Sequence, residues 1–173
     1  MATITHPVER TRYLLARSTT FRTWCGITTG TEEAMLTAAL ARIHSLFRRS
    51  PATADLPCAV VGFGTLSAER VSEGGGQFLK SDGVRVEFFA AYVEDPAAPA
   101  AAALSFDTTV RAIVNDMAQR SGSSDHISFD RYTRQKLEIC EHQYQVGTTL
   151  VDCDLISVGY EWSGTLWGSQ SEG

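Results

Sequence analysis

Residues 84–94 read VRVEFFAAYVE. Val84, Val86, Phe88, Ala90 and Tyr92 recur at every second position, with Arg85, Glu87, Phe89, Ala91 and Val93 between them. Side chains of an extended chain alternate between two faces, so this period predicts a strand with one apolar face. Its first half has a polar second face. Its later half is apolar on both, which places that half centrally in a sheet or under a partner.

A second strong signal, ALSFDTTVRAIVNDMAQRSG, follows a proline–alanine lead-in. Phe106, Val110, Ile113 and Met117 recur at four, three and four residues, the spacing of one helix face, and Gly122 is a natural stop. Upstream, Thr5 and Pro7 suit a helix start before VERTRYLLARS, and Phe21, Trp24 and Cys25 share a helical stripe ended by Gly26. Thr31 precedes EEAMLTAALARI, with two acids where the helix dipole favours them. Met35, Ala39 and Ile43, or Leu36 and Leu40, are its candidate buried stripe. Strands are expected at RIHSLF, CAVVGFG, TLSAERV, HISFDRY, KLEIC and TTLVDCDLISVGYEW. In the last, the apolar parity slips between Leu155 and Ile156, which predicts a bulge or a second covered face.

Hairpin-like spacing favours antiparallel pairing. The expected architecture is α+β, a mainly antiparallel sheet with helices packed on one face. One domain is expected over residues 1–163, with a polar C-terminal tail over 164–173, in which Trp167 is an unusual residue. Between strands 65–71 and 84–93 lies VSEGGGQFLKSDG, read as the glycine-rich tip of a long hairpin. Glycines there are free to adopt positive φ. Gly74, Gly75, Gly76, Gln77, Phe78 and Lys80 form a candidate partner-contact loop, and Trp167 a candidate contact in the tail. Deleting 74–80 is expected to spare folding and damage assembly.

Catalytic signatures are missing from the sequence. A phosphate loop needs GxxxxGK[ST], and GGGQFLKS has the wrong offset. GFGTLSAE lacks the third glycine of a dinucleotide fingerprint and leads into a strand rather than a helix. Neither HExxH nor GxSxG occurs. Cys140, Glu141 and His142 alternate faces if extended, and read as a strand end entering a turn. Asp152 and Asp154 share a strand face and read as solvated, or as partners of Arg131 or Arg134 on a neighbouring strand. Cys25, Cys58, Cys140 and Cys153 lack clip spacing and are expected to be reduced, small and buried. No enzyme activity, cofactor or metal is expected.

Charge bounds the partners. Residues 1–50 hold seven Arg against three acids, a net +4, and residues 51–173 hold eight basic against seventeen acidic residues, a net −9. This does not make the concentrated basic face of a nucleic-acid binder. It reads first as scattered solvated charge, and alternatively as unlike surfaces through which neighbouring copies attract. Thirteen of the fifteen basic residues are Arg, which suits bidentate interface contacts and also follows from a GC-rich genome, as the Ala content does. With no secretory leader pattern at the start and no apolar run of roughly 18 residues, the chain is expected to be intracellular and not membrane-bound.

The order TFRTWCG, ARIHSLF, LPCAVVGF, VRVEFFAAY, FDTTVRAIVNDMAQRSG, HISFDRY and LVDCDLISVGYEW resembles the small tail-terminator and tail-completion (neck) proteins of tailed bacteriophages. The likeness covers roughly residues 5–163 and rests on apolar patterns, chiefly Phe21, Trp24, Gly26, the alternation over 84–92 and the closing aromatic strand. The resemblance implies a structural virion protein. Such proteins form a homo-oligomeric ring, often a hexamer, at the head-proximal end of the tail tube. The ring stops tube polymerisation and joins the tail to the head–tail connector. DNA passes through its lumen without sequence-specific binding, a role that suits an acidic protein. The implied location is the virion tail or neck, after assembly in the host cytoplasm. The alternatives are a neck or head–tail joining protein, a small cytoplasmic protein-binding adaptor, and a small-molecule-binding or enzymatic α+β domain.

Overall fold

The computed structural model describes residues 7–45, 53–64, 70–73, 77–121, 129 and 131–169. Its elements are helices α1 (Pro7–Arg17), α2 (Thr19–Trp24), α3 (Glu32–Ala41) and α4 (Ala101–Arg120), with strands β1 (Ile43–Ser45), β2 (Cys58–Phe63), β3 (Arg70–Glu73), β4 (Gln77–Tyr92), β5 (Thr133–Arg134), β6 (Glu138–Val146) and β7 (Thr149–Ser169).

Local chemistry explains the helix boundaries. Pro7 opens α1, where its missing N–H is no loss. Ser18 caps α2 by accepting from Phe21 N at 3.2 Å, and Thr31 caps α3 by accepting from Ala34 N at 3.3 Å. Glu32 and Glu33 occupy the first turn of α3, as their sequence position predicts. Of the expected α3 stripe, Ala39 is fully buried, Met35 and Leu36 are half-buried, and Ile43 has passed into β1. The start signal at Thr5 and the stop at Gly122 lie outside the described residues, and α4 is closed by Ser121.

The fold is α+β, with a mostly antiparallel sheet. Its seven strands fill five columns. Two long strands, β4 and β7, pair with each other from Gln77↔Ser169 to Tyr92↔Asp154. On the outer side of β4 lie β2, opposite residues 84–89, and β3, opposite 77–80. On the outer side of β7 lie β5, opposite 160–161, and β6, opposite 149–157. β1 completes the sheet by running parallel to β2. β4 is therefore central, one of the two situations its apolar later half implies.

The core lies between the helices and one face of this sheet. Val84, Val86 and Phe88 of β4, Ile156, Val158, Tyr160 and Trp162 of β7, and Ala59 and Val61 of β2 supply the sheet side. Phe106, Val110, Ile113 and Met117 supply α4, the four residues its sequence period marks, joined by Val114. Trp24 knits the layers, with ring centroids 6.0 Å from Phe21, 6.2 Å from Phe88 and 6.1 Å from Phe106. Such offset aromatic pairs add to the burial of apolar area.

Elsewhere the structure departs from the sequence reading. The slip at Leu155–Ile156 is not a bulge, because pairing on both sides of β7 runs through it unbroken. Both residues are buried, so the second face is covered there. In HISFDRY, residues 126–128 and 130 lie outside the described set. Phe129 sits in a turn, and the strand begins only at Thr133. The KLEIC strand is longer, running to Val146, so Cys140–Glu141–His142 stands mid-strand and not at a strand end. β4 begins at Gln77, seven residues before its apolar alternation starts. β7 continues to Ser169, so residues 164–169 extend the sheet instead of forming a tail. Residues 65–69 and 170–173 lie outside the described set.

Candidate partner-contact surface

Both long strands run past their neighbours, and the two overhangs are the most distinctive surfaces of the fold. At roughly 3.3 Å per residue, the 21 residues of β7 span about 70 Å. A compact domain of this size has a radius of gyration of only roughly 16 Å. The strand ends therefore reach beyond the layer that the helices cover.

The first overhang holds β3 with the starts of β4 and the end of β7. Gly74, Gly75 and Gly76 fall outside the described residues. Gln77, Phe78 and Lys80, expected in a loop, are instead paired strand residues of β4. Phe78 stands opposite Ser72 and Gly168, and Lys80 opposite Arg70 and Leu166. Trp167 stands opposite Leu79, which stands opposite Val71. The two stretches nominated separately from sequence thus lie on adjacent strands at one end of the sheet. Because Lys80 and Ser81 are paired in a strand, they do not form a loop at a helix N-terminus, the geometry that a phosphate site uses.

The second overhang is the β6–β7 hairpin beyond the end of β4 at Tyr92. Glu141 stands opposite Asp154, and Gln143 opposite Asp152, donating to it from Nε2 at 2.8 Å. These four side chains border one shallow recess. Leu150, at the hairpin end, is 65% exposed. Arg131 and Arg134 do not serve Asp152 or Asp154 as the spacing suggests. Arg134 lies opposite Tyr160, donates to its hydroxyl at 3.3 Å and pairs with Asp107 of α4.

A polar cluster occupies the sheet face away from the helices. Arg85 contacts Glu87 and donates to Gln135 Oε1 at 2.6 Å. Gln135 N–H donates to Gly159 O at 2.8 Å. Glu161, opposite Arg85 in register, is 8% exposed and lies over Gly64. The absence of side chains at Gly64 and Gly159 makes room for these carboxyl and amide groups.

Ion pairs tie the helices to one another and to the sheet. Burial pushes the Asp107 carboxyl up, but hydrogen bonds from Arg111 and Arg134 outweigh it and leave its pKa below the ordinary value. Asp116 behaves alike: burial raises it, while Ser18 and Arg120 hold it lower overall. Arg22 donates from Nε to Ala16 O at 2.7 Å and forks onto Glu32 at 2.8 and 2.9 Å, and this bond lowers the Glu32 carboxyl. These pairs link α1, α2, α3 and α4 and are structural. Cys25 and Cys58 are buried as expected, and burial pushes the Cys25 thiol up to about 12. Against that expectation Cys140 is exposed, on the edge strand β6 opposite Leu155, and Cys153 is half-buried, on β7 just past its last pair with β4.

Among the described residues, no group of three or more His, Cys, Asp or Glu side chains is placed to hold a metal ion. Among the same residues, no helix is long and apolar enough to cross a membrane. Sequence reasoning nominated the first overhang from its glycines and its stray tryptophan. It missed the second, whose Glu141–Asp154 juxtaposition exists only once the register is fixed. No protein family matches the chain, and comparison with characterised proteins finds no match either.

Proposed function

We propose that this chain is a structural protein of a tailed-bacteriophage virion, a tail terminator that closes into a ring on the head-proximal end of the tail tube. It acts by shape. One face matches the last ring of the tube and stops its growth, and the other receives the head–tail connector. The observation that carries this reading is the β3–β4–β7 overhang, where the strand holding Gln77, Phe78 and Lys80 pairs with the strand holding Trp167. The register brings Phe78, Leu79, Leu166 and Trp167, all apolar residue types, to this one end of the sheet, and an apolar patch there would suit a neighbouring protein.

The charge distribution supports the ring. A heterologous contact needs two unlike faces and closes only when its rotation is right. A basic first segment of 50 residues and an acidic remainder would supply such faces where their exposed charges lie apart. An acidic lumen would let DNA pass without holding its phosphates.

The test is polymerisation of the cognate tube protein in the presence of this chain. Substoichiometric amounts should cap tubes and shorten them, with the added protein found at one end only. Tubes of unchanged length and bare ends would overturn the terminator role. Capture by the connector alone would favour the neck role instead.

A further inference from the structure

We propose that β6 of one copy pairs with β6 of a second copy, antiparallel around a two-fold axis, in the register that sets His142 opposite its own counterpart. The contact uses a sheet edge and stands apart from the ring reading, which concerns a head-to-tail contact.

β6 spans nine residues, Glu138–Val146, and pairs with β7 along its whole length without a bulge. Among the described residues, no strand pairs with its other side. Every second residue of an antiparallel strand turns its N–H and C=O to one side, so β6 presents unpaired groups along an edge of about 30 Å. Proteins usually blunt such edges by shortness, lysine, proline or a bulge. β1 and β5 are blunted by being three and two residues long. β6 has none of these devices. Glu138, Ile139, Cys140, Glu141, Gln143 and Val146 are all exposed along it.

The arm also lacks support. Beyond Tyr92, β4 no longer flanks β7, so residues 142–146 and 149–153 form a ladder of two strands. Two-stranded ladders are marginal in water, and a third strand or more is needed for stability. Two arms joined edge to edge make four strands, in the order β7–β6–β6–β7.

Only extended backbone satisfies such an edge, and the order of residues in β6 fits its own copy. With His142 opposite itself, Glu138 meets Val146, Ile139 meets Gln145, Cys140 meets Tyr144, and Glu141 meets Gln143. The whole strand is then paired and no two carboxylates face each other. Sliding toward Glu138 sets Glu141 against Glu141 and shortens the ladder. Sliding the other way shortens it as well. Parallel pairing in register sets both glutamates against themselves. Like charges directly opposite are destabilising, and the two-fold axis repeats each off-axis pair.

The experiment follows the particle mass of the full chain by light scattering over a concentration series. It is run at pH 8, where an ordinary histidine is uncharged. The wild type should give even multiples of 18.8 kDa: a dimer of twice that mass, about 38 kDa, or a double ring where rings also close. Val146→Glu sets a carboxylate opposite Glu138 at both ends of the joint ladder. Val146 is 56% exposed and stands opposite Thr149 at the hairpin end, so the core is untouched. This variant should halve the particle mass, with half-assembly needing roughly tenfold more protein. Adding Glu138→Lys turns both clashes into opposite-charge pairs and should restore the wild-type mass. Circular dichroism checks that each variant folds. A wild type that stays at 18.8 kDa, an unchanged mass in Val146→Glu, or a folded double variant that stays at the halved mass overturns the contact. β6 amides that become protected from hydrogen exchange only beside tube or connector protein mean that a different strand covers the edge, and also overturn it. Single rings that persist unchanged in every variant overturn it and leave the ring reading standing.

Discussion

Replacing Gly64 by alanine places a methyl carbon 2.5 Å from Glu161 Oε1 and 2.9 Å from the carbonyl carbon of Gly83. Neither contact relaxes easily. The Gly83 atom is backbone, and Gly64 N–H is bonded to Gly83 O at 2.8 Å, so the two segments are held together. Glu161 is 8% exposed and has little room to swing. Overpacking of this kind costs about 1–3 kcal/mol. For a chain of this length each kcal/mol moves Tm by roughly 2–4 °C, so a fall of about 2–12 °C is expected. Gly159→Ala is the control. Its methyl would lie 2.7 Å from Gln135 Oε1, the free end of a half-buried side chain. Gln135 can rotate away, and the cost is then the Arg85–Gln135 hydrogen bond, about 0.5–1.5 kcal/mol. Thermal or urea unfolding of the three proteins reads the difference. A Gly64→Ala protein as stable as wild type, or no less stable than Gly159→Ala, refutes this packing.

Other expectations concern the helix layer and charge. Ser18→Ala removes the α2 cap and the 2.5 Å bond donated to Asp116 Oδ2, and should lower stability by about 1–3 kcal/mol in urea titration. Arg22→Ala should cost more than Glu32→Ala, because Arg22 is 8% exposed and also donates to Ala16 O, whereas Glu32 is largely in solvent. Asp107 and Asp116 have folded pKa values below their unfolded ones. Their contribution is therefore present above about pH 4, and is lost as the pH falls through the folded values. Unfolding monitored from pH 7 to 2 should show a plateau that gives way below roughly pH 4. Salt at roughly 0.5 M should weaken assembly if opposed charges join the copies, since screening then acts within a few Å.

The sequence signals were clearest where a segment buries one continuous face. Phe106, Val110, Ile113 and Met117 mark α4 because all four meet the sheet. Val84, Val86 and Phe88 mark the core half of β4 for the same reason. The first overhang is marked in the sequence by its glycines and Trp167, but the strand character of residues 77–83 and 164–169 is not legible, because these segments do not bury one continuous apolar face. Gln77, Lys80 and Asp82, or Gly164 and Gly168, show no apolar alternation, and what extends them is a partner strand, not their own propensity. Deleting 74–80 would remove four residues of β4, so replacing only Gly74–Gly76 by a short turn is the cleaner perturbation. The Arg134–Asp107 pair joins a strand to a helix across 27 residues and leaves no local trace. The β6–β7 acids were seen as Asp152 and Asp154 alone, because Glu141 joins them only through the register.

As a terminator the chain has to assemble into a closed ring. Mass measurement of the purified protein over a concentration series, with and without tube ends, tests it most directly. A hexamer, six times 18.8 kDa or about 113 kDa, or another single closed multiple that images as a ring, is the expected result. A species of 18.8 kDa at every concentration, alone and beside tubes, contradicts it.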